Sequence, residues 1–198
     1  NGNLDGFLAK FDYDGTLIWA VNMGGSGTDE ATALTLAPDG NIYVTGYFDD
    51  AIRFKSVTAA FTTESPNQAE DVFLAAYNPA GDLQYATTGG GTGEDKGMGI
   101  TSNASGVYVT GFYENQATFG AFATETTYNT VRNGFVIRHG FSGPAQWLAE
   151  MKSDDDDRQN MQEIKDVSYD IAADAGNVYI VGYMGGDNMR FTNSVGTL

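Results

Sequence analysis

One short phrase occurs three times in this chain, and it constrains the fold more than any other feature. Asn41-Ile42-Tyr43-Val44-Thr45-Gly46-Tyr47 returns as Gly106-Val107-Tyr108-Val109-Thr110-Gly111-Phe112 and as Asn177-Val178-Tyr179-Ile180-Val181-Gly182-Tyr183, with the tyrosines 65 and then 71 residues apart. A second phrase recurs out of phase with the first. Asp5-Gly6-Phe7-Leu8-Ala9 matches Asp71-Val72-Phe73-Leu74-Ala75 and Asn133-Gly134-Phe135-Val136-Ile137, at spacings of 66 and 62 residues. Self-similarity at one long period means an array of a single supersecondary unit.

Each copy reads as two hairpins. In the first, the runs Phe7–Phe11 and Leu17–Met23 flank Asp12-Tyr13-Asp14-Gly15, and the other copies turn at Asn78-Pro79-Ala80-Gly81 and Gly140-Phe141-Ser142-Gly143. Runs at Thr32–Ala37 and Ile42–Phe48 flank Pro38-Asp39-Gly40-Asn41. Short apolar runs rich in Val, Ile, Thr and Tyr, separated by Asp, Asn, Pro and Gly, are antiparallel hairpin chemistry. No segment carries a helical pattern. Repeat units at approximately 5–70, 71–132 and 133–198 thus predict an all-β array of four-stranded units. Such units are the blades of a β-propeller. In that order the strand near Ala33, Met98 and Tyr169 is innermost, the Tyr-Val-Thr-Gly strand comes next, and the Phe and Trp hairpin lies outside. A parallel β-solenoid is the rival, but its coils are shorter and lack tight hairpins. Three blade equivalents fall below the usual minimum of about four. The expectation is therefore a part of a larger propeller, with a ring closed by two copies as the alternative.

The chain resembles the bacterial β-propeller repeat family known as SBBP repeats. The resemblance rests on Asp71-Val72-Phe73-Leu74-Ala75, Gly15-Thr16-Leu17-Ile18-Trp19-Ala20, Gly24-Gly25-Ser26-Gly27-Thr28-Asp29 and the run from Asp39 to Phe48. Ala117-Thr118-Phe119-Gly120 is similar to a linker segment of copies from cell-surface proteins. The resemblance implies a propeller located outside the cell or on the bacterial surface, and says little about a ligand. The third copy departs from the pattern: Ser153 replaces the last glycine of the Gly-Gly pair, an acidic insertion follows, and His139 replaces an aromatic.

Composition narrows the chemistry. The absence of cysteine removes disulfides, thiolate metal sites and Cys nucleophiles. A net charge of −16 repels nucleic acid phosphates and favours cations or basic partners. No apolar stretch approaches the roughly 20 residues of a membrane-spanning helix, so membrane insertion is not expected.

Few residues stand out as chemical. His139, the only histidine, shares a register with Phe11 and Tyr77 and reads as structural. Trp19, Tyr85 and Trp147 share a register on the predicted outermost strand and read as packing between units. Asp12-Tyr13-Asp14-Gly15 has the start of a calcium loop, but the other copies lack its acids, which favours turn chemistry. Asp154, Asp155, Asp156 and Asp157 form an acidic insertion, either a solvated loop or a calcium or basic-partner site. Counting back 13 residues from each repeat tyrosine gives Glu30, Asp95 and Asp166. Three acids at one place read as carboxylates pinning a loop through backbone N–H groups. The alternative is a ring of charge at a channel mouth. No catalytic residue and no cofactor beyond that candidate calcium is assigned. The expected function is a noncatalytic scaffold that binds protein or glycan at a loop face, self-association or contact with further blades being open as well. The alternatives are a structural subunit of a surface filament, sheath or adhesin, and a glycosidase whose paired carboxylates the sequence cannot place.

Overall fold

The computed structural model describes residues 3–56, 60–64, 69–126, 131–153, 165–185 and 189–195. Among these the chain is all-β, with no helix. The strands of the first repeat unit are β1 (Gly6–Phe11), β2 (Leu17–Gly25), β3 (Asp29–Leu36), β4 (Ile42–Phe48), β5 (Ala51–Lys55) and β6 (Ala60–Glu64). The second contains β7 (Asp71–Tyr77), β8 (Leu83–Gly91), β9 (Lys96–Asn103), β10 (Gly106–Glu114), β11 (Ala117–Phe119) and β12 (Phe122–Ala123). The third contains β13 (Arg132–His139), β14 (Ala145–Ser153), β15 (Val167–Ala173), β16 (Val178–Tyr183) and β17 (Met189–Val195).

These strands form four open antiparallel sheets, in the orders β1-β2-β5-β6, β12-β11-β8-β7-β4-β3, β17-β14-β13-β10-β9 and β15-β16. The hairpins predicted from the repeats are present, and the sheets straddle the repeat units. Hairpin β3-β4 of one unit joins β7-β8 of the next, with Val44 opposite Ala75 and Gly46 opposite Phe73. Hairpin β9-β10 joins β13-β14 in the same register, with Val109 opposite Ile137 and Gly111 opposite Phe135.

The expected four-stranded units need correction. A strand that follows the inner hairpin reaches back and adds to the preceding sheet: β5 pairs with β2, β11 with β8, and β17 with β14. The Trp-bearing strands are therefore not outermost, and Ala117–Phe119 is a strand rather than a linker. The recurrent apolar residue of this strand is Phe54, Phe119 or Phe191. Phe54 and Phe119 are buried, and their rings meet those of Phe73 (edge-on) and Phe135 (tilted) of the next sheet, with centroids 5.3 and 4.7 Å apart.

The sheets stack face to face, and the period-2 pattern of each strand decides which neighbour each residue meets. Strand β7 is buried along its whole length. Phe73, Ala75 and Tyr77 pack with Leu8, Val21 and Met23 of the sheet before it. Val72, Leu74 and Ala76 pack with Val109, Phe135 and Ile137 of the sheet after it. A strand covered on both faces reads as a continuous apolar run rather than an alternating one. A third cluster seats Ile171 of β15 against Tyr108, Val136 and Met151.

The small residues of β3, β9 and β15 let these strands lie side by side. Thr32 Oγ1 donates to the Gly97 carbonyl at 2.7 Å, and Asn103 Nδ2 donates to the Asp174 carbonyl at 2.8 Å. The glycine of each repeated phrase has a shared cause. A Cβ on Gly46, Gly111 or Gly182 would lie 1.8, 1.8 or 2.0 Å from the carbonyl oxygen of Glu30, Lys96 or Val167. Each of these pairings shifts register by a residue at or next to that contact, and the inner backbone sits too close for any side chain.

Candidate functional site: loop carboxylates and open sheet edges

The loop entering each inner strand is held by a buried aspartate. Asp95 accepts from the amides of Gly91 at 2.7 Å and Glu114 at 3.2 Å. Asp166 accepts from those of Ser153 at 2.5 Å and Gly185 at 2.9 Å. In the first copy the equivalent group is Asp29, which accepts from Gly25 at 2.7 Å. Glu30 is a correction: it is exposed and accepts instead from the Tyr47 hydroxyl at 2.6 Å. The reason is the β3-β4 turn, which is one residue longer than its counterparts. Tyr43 lies opposite Thr35, whereas Tyr108 lies opposite Thr101 and Tyr179 opposite Ala172. Counting back 13 from the tyrosine therefore falls one residue short of Asp29 in this copy alone.

Asp29, Asp95 and Asp166 are all buried. They do not present a ring of charge to solvent. Burial, reinforced by Asp71, pushes the Asp95 carboxyl up to about 8 against the lowering pull of the two amides. Burial likewise raises Asp29 to about 6, opposed by the Gly25 amide and reinforced by Asp5, Asp49 and Asp50. Its Oδ1 is buried without a hydrogen-bond partner.

The charged residues around these loops pair with one another, within a sheet and, at Lys96, between sheets. Lys96 pairs with Glu70 at 2.6 Å and lies over the Tyr47 ring, 4.1 Å from its centroid. Arg132 pairs with Glu94 and, at 2.9 Å, with Glu114, and it covers the Phe112 ring. The buried Glu150 takes a hydrogen bond from the Tyr113 hydroxyl at 2.5 Å and an ion pair from Lys152 at 2.7 Å. No group of three or more potential metal-ligating side chains is arranged to hold an ion among the described residues.

The structure explains the repeated tyrosine, which sequence reasoning left unassigned. Tyr43, Tyr108 and Tyr179 each donate to the turn residue that closes their own hairpin, Asp39 at 2.7 Å, Asn103 at 3.2 Å and Asp174 at 2.8 Å. Asx turns pin those same side chains to the backbone, with Asn41, Ser105 and Gly176 as amide donors. The signal was present as an Asp or Asn four or five residues ahead of each tyrosine.

The other singled-out residues fall into structural places. Asp12 Oδ1 accepts from the amides of Asp14 and Thr16, as Asn78 Oδ1 does from Ala80 and Asp82. That is turn chemistry, completed by the positive φ of Gly15 and Gly81. His139 is buried, with Nδ1 2.8 Å from the Gly143 carbonyl oxygen, and burial lowers its pKa. Trp19, Tyr85 and Trp147 occupy equivalent, half-buried positions opposite Lys10, Ala76 and Arg138. Asp154, Asp155, Asp156 and Asp157 lie outside the described residues.

Exposed apolar side chains lie along several sheet edges. Strand β1 ends its sheet on one side, and β16 ends another. Phe7 and Phe11 are exposed on the first, and Tyr179, Val181 and Tyr183 on the second, with Phe191 exposed on the neighbouring β17. No helix among the described residues is long and apolar enough to cross a membrane.

No protein-family model matches the chain. Over 110 residues, 56% of the chain, it is 26% identical to Regulatory protein FlaEY of Caulobacter vibrioides. Over 209 residues, 93% of the chain, it is 22% identical to an uncharacterized WD repeat-containing protein of Acanthamoeba polyphaga mimivirus. The chain spans 11% and 14% of the lengths of these two proteins.

Proposed function

We propose that the chain is a stretch of a β-propeller of the SBBP-repeat kind, acting outside the cell or on a bacterial surface as a noncatalytic scaffold for protein or glycan. The observation that carries this reading is where the polar chemistry goes. The buried aspartates hold loops, the tyrosines close turns, Lys96 joins adjacent sheets, and Arg132 ties β13 to β10 and to the loop that enters β9. Side chains committed to holding a frame leave its loops and edges as the parts free to vary and bind. The lateral approach of β3, β9 and β15 supports the propeller, since those strands are the ones nearest a common axis in that architecture. Similarity to a WD repeat-containing protein points the same way.

Two measurements on the full protein that carries this chain test the proposal. Electron microscopy should show sheets arranged radially about an axis, and an open superhelix would overturn the propeller. Glycan and protein arrays should give binding without turnover of chromogenic glycosides. Hydrolysis abolished by a carboxylate substitution would overturn the noncatalytic reading. The structural-subunit reading has its own support in the two open edges, because exposed strands are templates for pairing.

A further inference from the structure

We propose that the outer margin of β8, at Tyr85, Ala86, Thr87 and Thr88, is a slot for an extended strand of a partner protein with small apolar side chains and basic flanks. This rests on the scaffold reading and names a partner and a place for it. Strands β11 and β17 begin in one register. Ala117 and Thr118 lie opposite Gly91 and Gly90, as Met189 and Arg190 lie opposite the equivalent Ser153 and Lys152. The two strands then part. Strand β17 runs on, and its Thr192, Asn193, Ser194 and Val195 cover Glu150, Ala149, Leu148 and Trp147. After Phe119 the chain instead turns back at Gly120, whose φ is +63°, and β12 pairs with β11. Among the described residues no strand lies on the outer side of residues 85–88, which are half-buried. The opening is internal to the chain. Sheets stand before and after this one, and the strand that reaches back to it is already in place. By the same pattern further repeats would complete other sheets.

The surroundings of the margin give its ligand a chemistry. A strand side without a neighbour turns alternate N–H and C=O groups outward, where an added strand can take them up. Beside it lies a small, mostly apolar cleft between this sheet and the next, lined by Leu74, Thr87, Gly89, Phe119, Ile137 and His139. Thr87 is paired with Leu74, which packs toward the following sheet. A strand added to β8 therefore places one side chain in the cleft opposite Thr87, as Asn193 stands opposite Ala149 in the third sheet. Alanine or valine suits that position, and a charge there would be penalised. The Ser56 hydroxyl, which accepts from the Leu83 amide at 3.2 Å, closes one end of the slot, and the β11-β12 hairpin closes the other. The net charge of −16 favours basic residues on either side of the bound segment.

The test adds a short peptide of alternating valine and threonine, with a lysine at each end, to the full protein that carries this chain. Hydrogen exchange read by mass spectrometry should slow by about tenfold or more across residues 85–88. The fully N-methylated peptide cannot donate to a strand and should give no such protection. Thr87→Lys, which fills the cleft and repels the lysines, should weaken binding of the unmodified peptide by about tenfold or more. Residues 85–88 left unprotected, or equal protection by the methylated peptide, overturns the proposal. Capture of protein or glycan while residues 85–88 stay unprotected would do so and leave the scaffold reading intact.

Discussion

Strands β4 and β16 are built from the same phrase, yet Tyr43 is sealed in a core and Tyr179 faces solvent. The difference lies in what is beside them. Strand β4 has β7 on its outer side, whereas β16 ends its sheet. Strand β1 makes the reciprocal comparison with β7, whose Phe73 is buried where Phe7 is not. Intrinsic strand preference is shared across the copies, so burial here is a property of the neighbour rather than of the phrase.

The comparison can be broken most sharply at the phenylalanines. Phe135→Ala should cost about 3–5 kcal/mol, because a fully buried ring is lost and a cavity is left. Phe7→Ala should change stability by about 0.5 kcal/mol or less when measured at concentrations where copies do not associate. Equal losses in urea titrations of the two variants would show that β1 is covered like β13.

The buried loop aspartate should give the next largest effect. Asp95→Asn should cost about 1–3 kcal/mol near pH 4, where one of the two backbone amides it serves loses its acceptor. Its pH dependence has a definite sign. The Asp95 carboxyl sits at about 8 in the fold against an ordinary value of 3.8, so the folded state holds its proton more tightly. Its contribution to stability is complete below about pH 4, declines between pH 4 and 8, and is flat above that. Denaturation midpoints of the Asn variant should therefore fall less steeply across that window than those of the parent. Parallel slopes would show that the Asp95 carboxylate is ionised in the fold.

The smallest effects separate the central strands. Thr45 Oγ1 donates to the Phe73 carbonyl at 2.8 Å, and Thr110 Oγ1 to that of Phe135 at 2.7 Å. Thr45→Val should lose about 1 kcal/mol, the usual net worth of one internal hydrogen bond. Val181→Thr, at the equivalent exposed place, should be close to neutral in thermal melts of the monomer.

Much of the frame was legible because its signals are local. Asp14-Gly15 and Ala80-Gly81 mark turns, and alternation marks the strands between them. The reach-back strands were not legible, because Ile52-Arg53-Phe54, Ala117-Thr118-Phe119 and Met189-Arg190-Phe191 share only a three-residue pattern of an apolar residue, a polar one and phenylalanine. Their pairing partner lies in the preceding sheet, which no local pattern encodes. The loop acids were half legible. Asp95 and Asp166 keep a fixed distance from their tyrosines, and Asp29 is hidden by the one-residue difference in the Asp39 turn.

The reach-back strands also bear on how such a chain emerges from a ribosome. The sheet that begins at Asp29 receives its last strands only with Ala117–Phe119 and Phe122–Ala123, after β9 and β10 of the following sheet have been made. The nascent protein therefore always trails one unfinished margin, with Gly89, Gly90 and Gly91 waiting for β11. Translation at roughly 5–20 residues per second keeps that margin open for seconds. A pause with the chain out as far as Glu114 would hold the sheet incomplete, and one with Ala123 already emerged would not.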